Sequence, residues 1–320
     1  MPSVSVIIPN YNHARYLPQR IETVLQQSFT DFECIILDDG SMDNSKGIIE
    51  GYAAKDARIR FYPSQNNSGS PFMQWNKGVQ LACNELIWIA ESDDRCSPEL
   101  LQSLVNAHVN NPAIGLAYCQ SLKMDEEGNI SGSWKEFTDD IDDALFKEDF
   151  VMDGMEFINK FLIYKNVIPN ASAVLFKKSV FEKAGGADET LATNSDWLTW
   201  LKMLVNHKVA FVAQPHNMFR HHTESVIAKH SSNKATDYKE QYDGTMRLHY
   251  EAWCRQQNIK LNRETLTINQ QFISYDKANR GLHLYRNGKK LKGFIDIARA
   301  SFFPRFTLGY LRRMVREEDK

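Results

Sequence analysis

Hydrophobic and polar positions along this chain switch repeatedly between a period of two and a period near 3.6. Residues 4–9, Val-Ser-Val-Ile-Ile-Pro, form a β-branched run closed by proline, which predicts a short buried strand. Residues 16–27 then place Leu17, Ile21, Val24 and Leu25 at helical spacing. The pair recurs, with strands predicted at 32–37, 59–62 and 86–90 and helices at 45–54 and 72–81. Ser97 is suited to cap a further helix, with Pro98 at its first position and Glu99 in its first turn, and a fifth strand follows at 114–119. This order predicts an α/β fold with a mostly parallel central sheet, right-handed crossovers and flanking helices.

The pattern dissolves between 123 and 149 into a hairpin turn predicted at Gly128-Asn129 and an acidic stretch at 138–143, and this whole segment reads as a surface insertion. It returns as a strand at 171–176, a helix at 179–184 stopped by Gly185-Gly186, a helix at 196–204 and a strand at 209–212. Beyond His230 the chain is helical in pattern, polar and rich in Tyr, Gln and Lys. The expected division is therefore a unit over 1–230, with halves 1–122 and 123–230, followed by a helical C-terminal extension over 231–320.

Parallel sheets bind ligands outside the carboxyl ends of their strands. Those ends carry Asn10-Tyr-Asn12, Asp38-Asp-Gly-Ser41, Asn66-Asn-Ser-Gly69 and Glu91-Ser-Asp-Asp94. Two carboxylates about 4 Å apart repel by roughly 4 kcal/mol at an effective dielectric near 20. Three acids within four residues, Glu91, Asp93 and Asp94, thus point to a visiting cation, and magnesium or manganese suits oxygen ligands that leave room for phosphates. The alternative is a solvated loop whose acids favour the start of the next helix.

Composition narrows the class. Of 320 residues 42% are apolar and 24% charged, ordinary for a globular chain. The five cysteines, Cys34, Cys83, Cys96, Cys119 and Cys254, are scattered and include no Cys-x-x-Cys pair, which argues against a disulfide framework or zinc cage and predicts a reducing compartment. No run reaches the roughly 18 apolar residues of a membrane-spanning helix, and strand pattern begins within four residues of Met1, so neither a span nor a signal peptide is expected. The net charge of −2 hides an asymmetry: residues 285–320 hold ten Lys/Arg against four Asp/Glu, which leaves −8 on residues 1–284.

Val6-Ile-Ile-Pro-Asn-Tyr-Asn12, Tyr16-Leu17, Ser28-Phe29, Asp31-Phe-Glu33, Asp38-Asp-Gly-Ser41, Asn76-Lys-Gly78 and Glu91-Ser-Asp-Asp94 follow one another in an order and spacing that resembles the inverting nucleotide-sugar glycosyltransferases of family two. The resemblance covers roughly residues 3–225 and implies an A-type glycosyltransferase fold, with a nucleotide-binding half followed by an acceptor half. It implies that Pro9, Asn10 and Tyr11 lie at the nucleotide, with the Tyr11 ring stacked on the base. Asp39 would accept a hydrogen bond from the base, Asp38 would support that loop, and Asn66 and Lys77 would complete the donor pocket. Glu91 stands where the family's first aspartate is usual. The resemblance places Glu91 and Ser92 near the ribose and Asp93 or Asp94 on a manganese or magnesium ion bridging the two phosphates.

Gly185-Gly-Ala-Asp188 followed by Asn194-Ser-Asp-Trp-Leu-Thr-Trp200 resembles the acceptor-side motif, in which a Glu-Asp pair opens a helix. Asp196 matches the catalytic base and Ser195 replaces the glutamate. Phe219-Arg-His-His-Thr-Glu-Ser225 resembles a third motif that puts His222 on the metal or diphosphate and lets Arg220 add positive charge. The implied partners are a nucleoside diphosphate sugar, UDP-linked by expectation, and a saccharide or lipid-linked acceptor, as in cell-surface polysaccharide synthesis.

Leu291, Ile295, Ala298 and Phe302, then Phe303, Phe306, Tyr310 and Leu311, lie among Lys289, Lys290, Lys292, Arg299, Arg305, Arg312 and Arg313. This pattern fits either a basic helix resting on an anionic membrane or a helical cap packed on its own protein. The expected location is cytoplasmic, with peripheral contact at the inner face of the plasma membrane if the first reading holds. The acidic body shows no nucleic-acid recognition module. Two other functions stay open at this point. A nucleotidyltransferase would need a glycine-rich basic loop where Asn10-Tyr-Asn-His13 stands, and a non-catalytic nucleotide-sugar binder would be compatible with Glu91 and Ser195.

Overall fold

The computed structural model describes residues 3–142, 144–223 and 238–300. They form two compact units: residues up to Thr190 with Thr199–His222, and Leu191–Leu198 with the chain after Thr223.

The first unit is built on a ten-stranded mixed sheet. Strands β1 (Val4–Asn10), β2 (Phe32–Asp38), β3 (Ile59–Pro63) and β4 (Leu86–Ile89) are joined by helices α1 (Leu17–Leu25), α2 (Ser45–Ala53) and α3 (Pro71–Leu81). β1 pairs in parallel with both β2 and β4, and β2 pairs in parallel with β3, as the alternating pattern predicts. All seven residues of β1 are buried, which explains a strand of continuous Val and Ile rather than strict alternation. Each fully buried side chain of this size contributes about 1.5–3 kcal/mol. Helix α3 lies so close to β1 that a Cβ on Gly78 would meet Ile7 Cγ2 at 2.4 Å, so the helix tolerates only glycine there.

Sequential order along the sheet is β3-β2-β1-β4, so the path reverses at β1 and a crevice opens between the carboxyl ends of β1 and β4. The sheet then continues through β9 (Val174–Lys177), β6 (Ile114–Met124), β10 (Lys208–Arg220) and β5 (Arg95–Cys96). β9 runs antiparallel to both β4 and β6, which separates two strands that the sequence order would have made neighbours. β7 (Ile130–Ser133) folds back on β6 through the predicted Gly128-Asn129 turn, and β8 (Phe150–Asp153) pairs antiparallel with β10.

Three local expectations are corrected. Helix α4 (Leu100–Asn110) begins after Glu99, and Ser97 does not cap it: the Ser97 hydroxyl pairs with His216 Nδ1 at 2.8 Å. The strand expected over 209–212 is the first part of a 13-residue strand whose pairing with β6 is interrupted by register shifts. The segment read as a surface insertion is partly core, because Phe146 is 1% exposed and packs edge-on against Phe150, Phe161 and Phe211.

The second unit contains helices Tyr238–Gln256, Arg263–Arg286 and Lys290–Ala300, in line with the helical pattern beyond His230. The last two pack closely enough that a Cβ on Gly281 would meet the Gly293 carbonyl at 2.7 Å. Lys290–Ala300 buries Gly293, Asp296, Ile297 and Ala300 and turns Leu291, Phe294, Ile295 and Ala298 outward. The remaining tail positions singled out above, from Phe302 onward, lie outside the described residues, as does Ser225. Among the described residues no helix is long and apolar enough to cross a membrane. All five cysteines are free.

Candidate active site

The carboxyl ends of β1 to β3 form a tightly bonded rim. Asn10 closes β1, and its amide donates to Asp38 Oδ1 at 2.9 Å and to Ser41 at 3.2 Å. Asp38 Oδ2 in turn accepts from the Ser41 backbone N–H, so Asp38 supports its loop as the motif implies. Asn12 adopts a left-handed backbone, φ 56°, which asparagine tolerates, and its side chain accepts the Met42 N–H at 2.7 Å. Between these anchors Tyr11 stays 37% exposed, with its ring available to a ligand.

Asp39 is buried, and its two oxygens accept the Ser68 N–H, the Ser68 hydroxyl and the Gln74 amide, the last at 2.6 Å. The Ser68 N–H is shared between both Asp39 oxygens, so these contacts fill the roughly four lone-pair sites of the carboxylate, and base recognition by Asp39 requires one of them to yield. Gly40 makes the arrangement possible. It has φ +74°, and a Cβ there would lie 2.7 Å from the Asn66 carbonyl carbon. Asn66 is exposed on the same rim, and Lys77 donates to Ser64 at 3.3 Å.

The loop after β4 separates its three acids. Glu91 accepts from the Trp75 indole at 2.8 Å, and Trp75 is itself packed edge-on against Phe72. Asp94 turns inward, where it accepts the Arg220 backbone N–H at 2.9 Å and faces the fully buried Arg20 at 3.9 Å. Asp93 turns toward His222 Nε2, 2.9 Å away. His13, at the end of β1, bonds Ser92 through Nδ1 at 2.8 Å, and its ring lies edge-on to His222.

Arg20 and Arg220 hold this loop from beneath. Arg20 Nε donates to the Glu91 carbonyl and Nη2 to Ser172, with its guanidinium over Trp88. Arg220 donates to the carbonyls of Asp93, Asp125 and Glu126 and to Gln19. The guanidinium is thus engaged by backbone carbonyls and an amide, all neutral acceptors, and keeps its positive charge beside the loop.

These surroundings pull the three acids apart electrostatically. Burial, reinforced by the charge of Asp93 and opposed by Trp75 and Arg20, raises Glu91 to about 8. Burial and then Asp93 raise Asp94 to about 7 against the pull of Arg20. Burial opposes the charge on Asp93 too, but the hydrogen bond from His222 and the potential of His13 and His222 outweigh it and hold its pKa below the ordinary carboxylate range. Asp93 alone of the three is held below the ordinary carboxylate range, and it is the one that faces two imidazoles.

His13, Asp93 and His222 each bring a ligand atom within 4.8 Å of the other two. His222 Nδ1 is buried and has no hydrogen-bond partner among the described residues. Two imidazoles and a carboxylate fit a divalent ion, and the nitrogen content suits manganese better than magnesium. Asp94 is absent from this set. His13 escaped the sequence reading, because an isolated histidine after a strand carries no spacing signal; only its place at the β1–β4 crevice reveals it.

Asp196 belongs to the second unit. It lies in the first turn of helix α8 (Ser195–Leu204), where the helix dipole favours an anion.

Residues 5–184 match the family model described as Glycosyl transferase family 2. The chain belongs to that family. A relative, the Campylobacter jejuni GalNAc(5)-diNAcBac-PP-undecaprenol beta-1,3-glucosyltransferase, is 31% identical over 156 residues, or 48% of each chain. The chain spans 48%, 33% and 66% of the length of three curated relatives that it matches. Among solved structures, S. aureus TarS 1-349 in complex with UDP-GlcNAc superposes with a TM-score of 0.62 at 16% identity, covering 94% of this chain and 91% of that one. The mannosyltransferase PcManGT from Pyrobaculum calidifontis, in complex with GDP-Man and Mn2+, gives 0.59 at 14% identity and covers 98% and 80%. At these identities both show a shared fold, which is the A-type glycosyltransferase fold.

Proposed function

We propose that this protein transfers a sugar from a nucleoside diphosphate, UDP by preference, to a hydroxyl of a saccharide or lipid-linked acceptor, with inversion. The observation that carries the reading is the convergence of His13, Asp93 and His222 at the β1–β4 crevice, beside a rim built from Asn10, Tyr11, Asp38 and Asp39. Family membership and the sugar-nucleotide complexes of the structural neighbours support it.

Tyr11 offers a ring to the base, and Asp39, released from Ser68 or Gln74, an acceptor. Asn66 and Lys77 line the same rim, while Glu91 and Ser92 face the ribose. Asp93 and His222, with His13, would hold a divalent ion, of which manganese is favoured over magnesium. Such an ion neutralises charge on the departing diphosphate. Asp196 takes the proton of the acceptor hydroxyl as that oxygen bonds the anomeric carbon, while the bond from that carbon to the diphosphate breaks and its electron pair leaves with the nucleotide. The acceptor-side motif, rather than a measured distance, supports Asp196. A non-catalytic binder would keep the rim and the ligand set and lack turnover.

Titration calorimetry with UDP tests the donor site. Binding is expected in the presence of manganese and at least about tenfold weaker after chelation, and no heat with any nucleoside diphosphate in either condition would reject the reading.

The acceptor class suggests a membrane surface. Leu291, Phe294 and Ile295 are 76%, 55% and 39% exposed on Lys290–Ala300, beside Lys289, Lys290, Lys292 and Arg299. We propose that this face contacts anionic lipid through the basic C-terminal tail. The double variant Leu291→Ser/Phe294→Ser, altered only at exposed positions, is expected to sediment less with phosphatidylglycerol vesicles than the unaltered chain; equal sedimentation would reject membrane contact at this face.

A further inference from the structure

The eight residues Leu191–Leu198 fold with the helical unit, and helix Tyr238–Gln256 contacts them through Asp243 and Arg247. We propose that Asp243 and Arg247 of helix Tyr238–Gln256 are positioning residues for Asp196, fixing the turn before it and the ring after it. This rests on the reading of Asp196 as the base.

The turn before Asp196 is unusual. Asn194 has a left-handed backbone, φ 61°, which asparagine tolerates better than most residues with a side chain, so the residue type and the turn are matched. The Asn194 side chain donates to Asp243 Oδ1. Its carbonyl accepts the Leu198 N–H at 3.1 Å, so the same residue starts the hydrogen-bond ladder of α8. The direction in which the helix leaves, and with it the direction of the Asp196 carboxylate, depends on this turn.

The residue after Asp196 is held as firmly. Trp197 is 4% exposed, and its ring lies 4.9 Å from the guanidinium carbon of Arg247. The same guanidinium carbon lies 4.3 Å from the centroid of the Phe272 ring, on helix Arg263–Arg286. Arg247 is 2% exposed, and Nη1 donates to Asn269 Oδ1 at 3.1 Å. Asn269 in turn donates to Glu251 at 2.9 Å. The Arg247 guanidinium is therefore held by two aromatic rings, Trp197 and Phe272, and backed by a buried polar network that spans two helices. Burial lowers the Arg247 pKa to about 10, so it remains a cation near neutrality, and the charges of Asp243 and Asp276 favour that state. The two anchors of the segment thus lie within each other's electrostatic field.

A desolvated arginine held by two rings is a poor device for stability alone, since an unbranched apolar side chain of similar length fills the same slot without the cost of removing a charge from water. It is a good device for fixing one orientation, because a planar cation held by two aromatic rings has few alternatives. A displacement of about 1 Å in a catalytic group can cost on the order of 100-fold in rate.

The test uses the full-length enzyme and four variants: Arg247→Met, Arg247→Lys, Asp243→Ala and Asp196→Asn. For each, kcat and donor KM are measured alongside thermal unfolding. Arg247→Met and Asp243→Ala are expected to lower kcat by about tenfold or more at unchanged donor KM. Arg247→Met should unfold at the same temperature as the parent or higher, and Arg247→Lys should recover part of the lost kcat. Wild-type kcat in both Arg247→Met and Asp243→Ala, with Asp196→Asn inactive, would overturn the inference and leave the base assignment standing. Losses of kcat that track losses of melting temperature and are not relieved by lysine would overturn it as well, by reducing both residues to a structural role. Full activity of Asp196→Asn would remove the base assignment and this inference with it.

Discussion

Asp196→Asn is expected to lower sugar transfer by about 10²–10⁴-fold while manganese-dependent UDP binding survives. Asparagine keeps the size and hydrogen-bonding shape of the side chain but cannot accept the acceptor's proton, so the loss should fall on kcat rather than on donor KM. Asp196 lies in one unit, and the rim and the ligand set lie in the other. Steady-state kinetics paired with calorimetry on the same preparation decide the matter. Transfer at the wild-type rate would disqualify Asp196 as the base.

The second large effect is expected at the acid loop. Asp93→Asn should weaken manganese-dependent UDP binding by about 10–100-fold, because it removes the carboxylate that the surroundings hold below the ordinary range and that faces His13 and His222. Asp94→Asn should change affinity by less than about threefold. Its carboxylate is turned to the Arg220 N–H and to Arg20, and asparagine can still accept from that N–H. If the larger loss followed Asp94→Asn, the ion would have to be reassigned to Asp94.

The strand and helix order through β4 was legible because β1, β2 and β4 are buried almost throughout and read as continuous apolar runs, with helical spacing between them. The polar strand ends were legible for the same reason: a parallel sheet leaves them in one place, and Asn10, Asp38, Asp39 and Glu91 fell where the pattern put them. β9 was legible as a strand and not as an antiparallel one, since the direction of a short apolar run such as Val174–Lys177 is set by the chain that precedes it. Ser97 misled because serine before Pro-Glu is a common cap, and nothing local discloses that His216, far along the chain, takes its hydroxyl. Arg20 was hidden for a related reason. It sits on α1 where helical periodicity assigns a polar residue to the surface, yet it is fully buried because Glu91 O, Ser172 and Trp88 supply partners that appear only in the folded protein.

The acids themselves could be counted in the sequence but not told apart. Glu91, Asp93 and Asp94 look equivalent on paper, and their separation comes from Trp75, His222, Arg20 and Arg220, four residues on three different elements and the chain end of β10. The family's aspartate pattern resolves the ambiguity only partly, because the first position here is glutamate.

Arg220 gives the crevice a further property. One side chain ties the Asp93 carbonyl to the carbonyls of Asp125 and Glu126 and to Gln19, and the same residue's backbone N–H clasps Asp94, two positions ahead of His222 in the chain. Loops that in a looser protein would drift independently are therefore geared to a common hub, so the disorder that capture of a donor would otherwise have to freeze out was already surrendered when the chain folded.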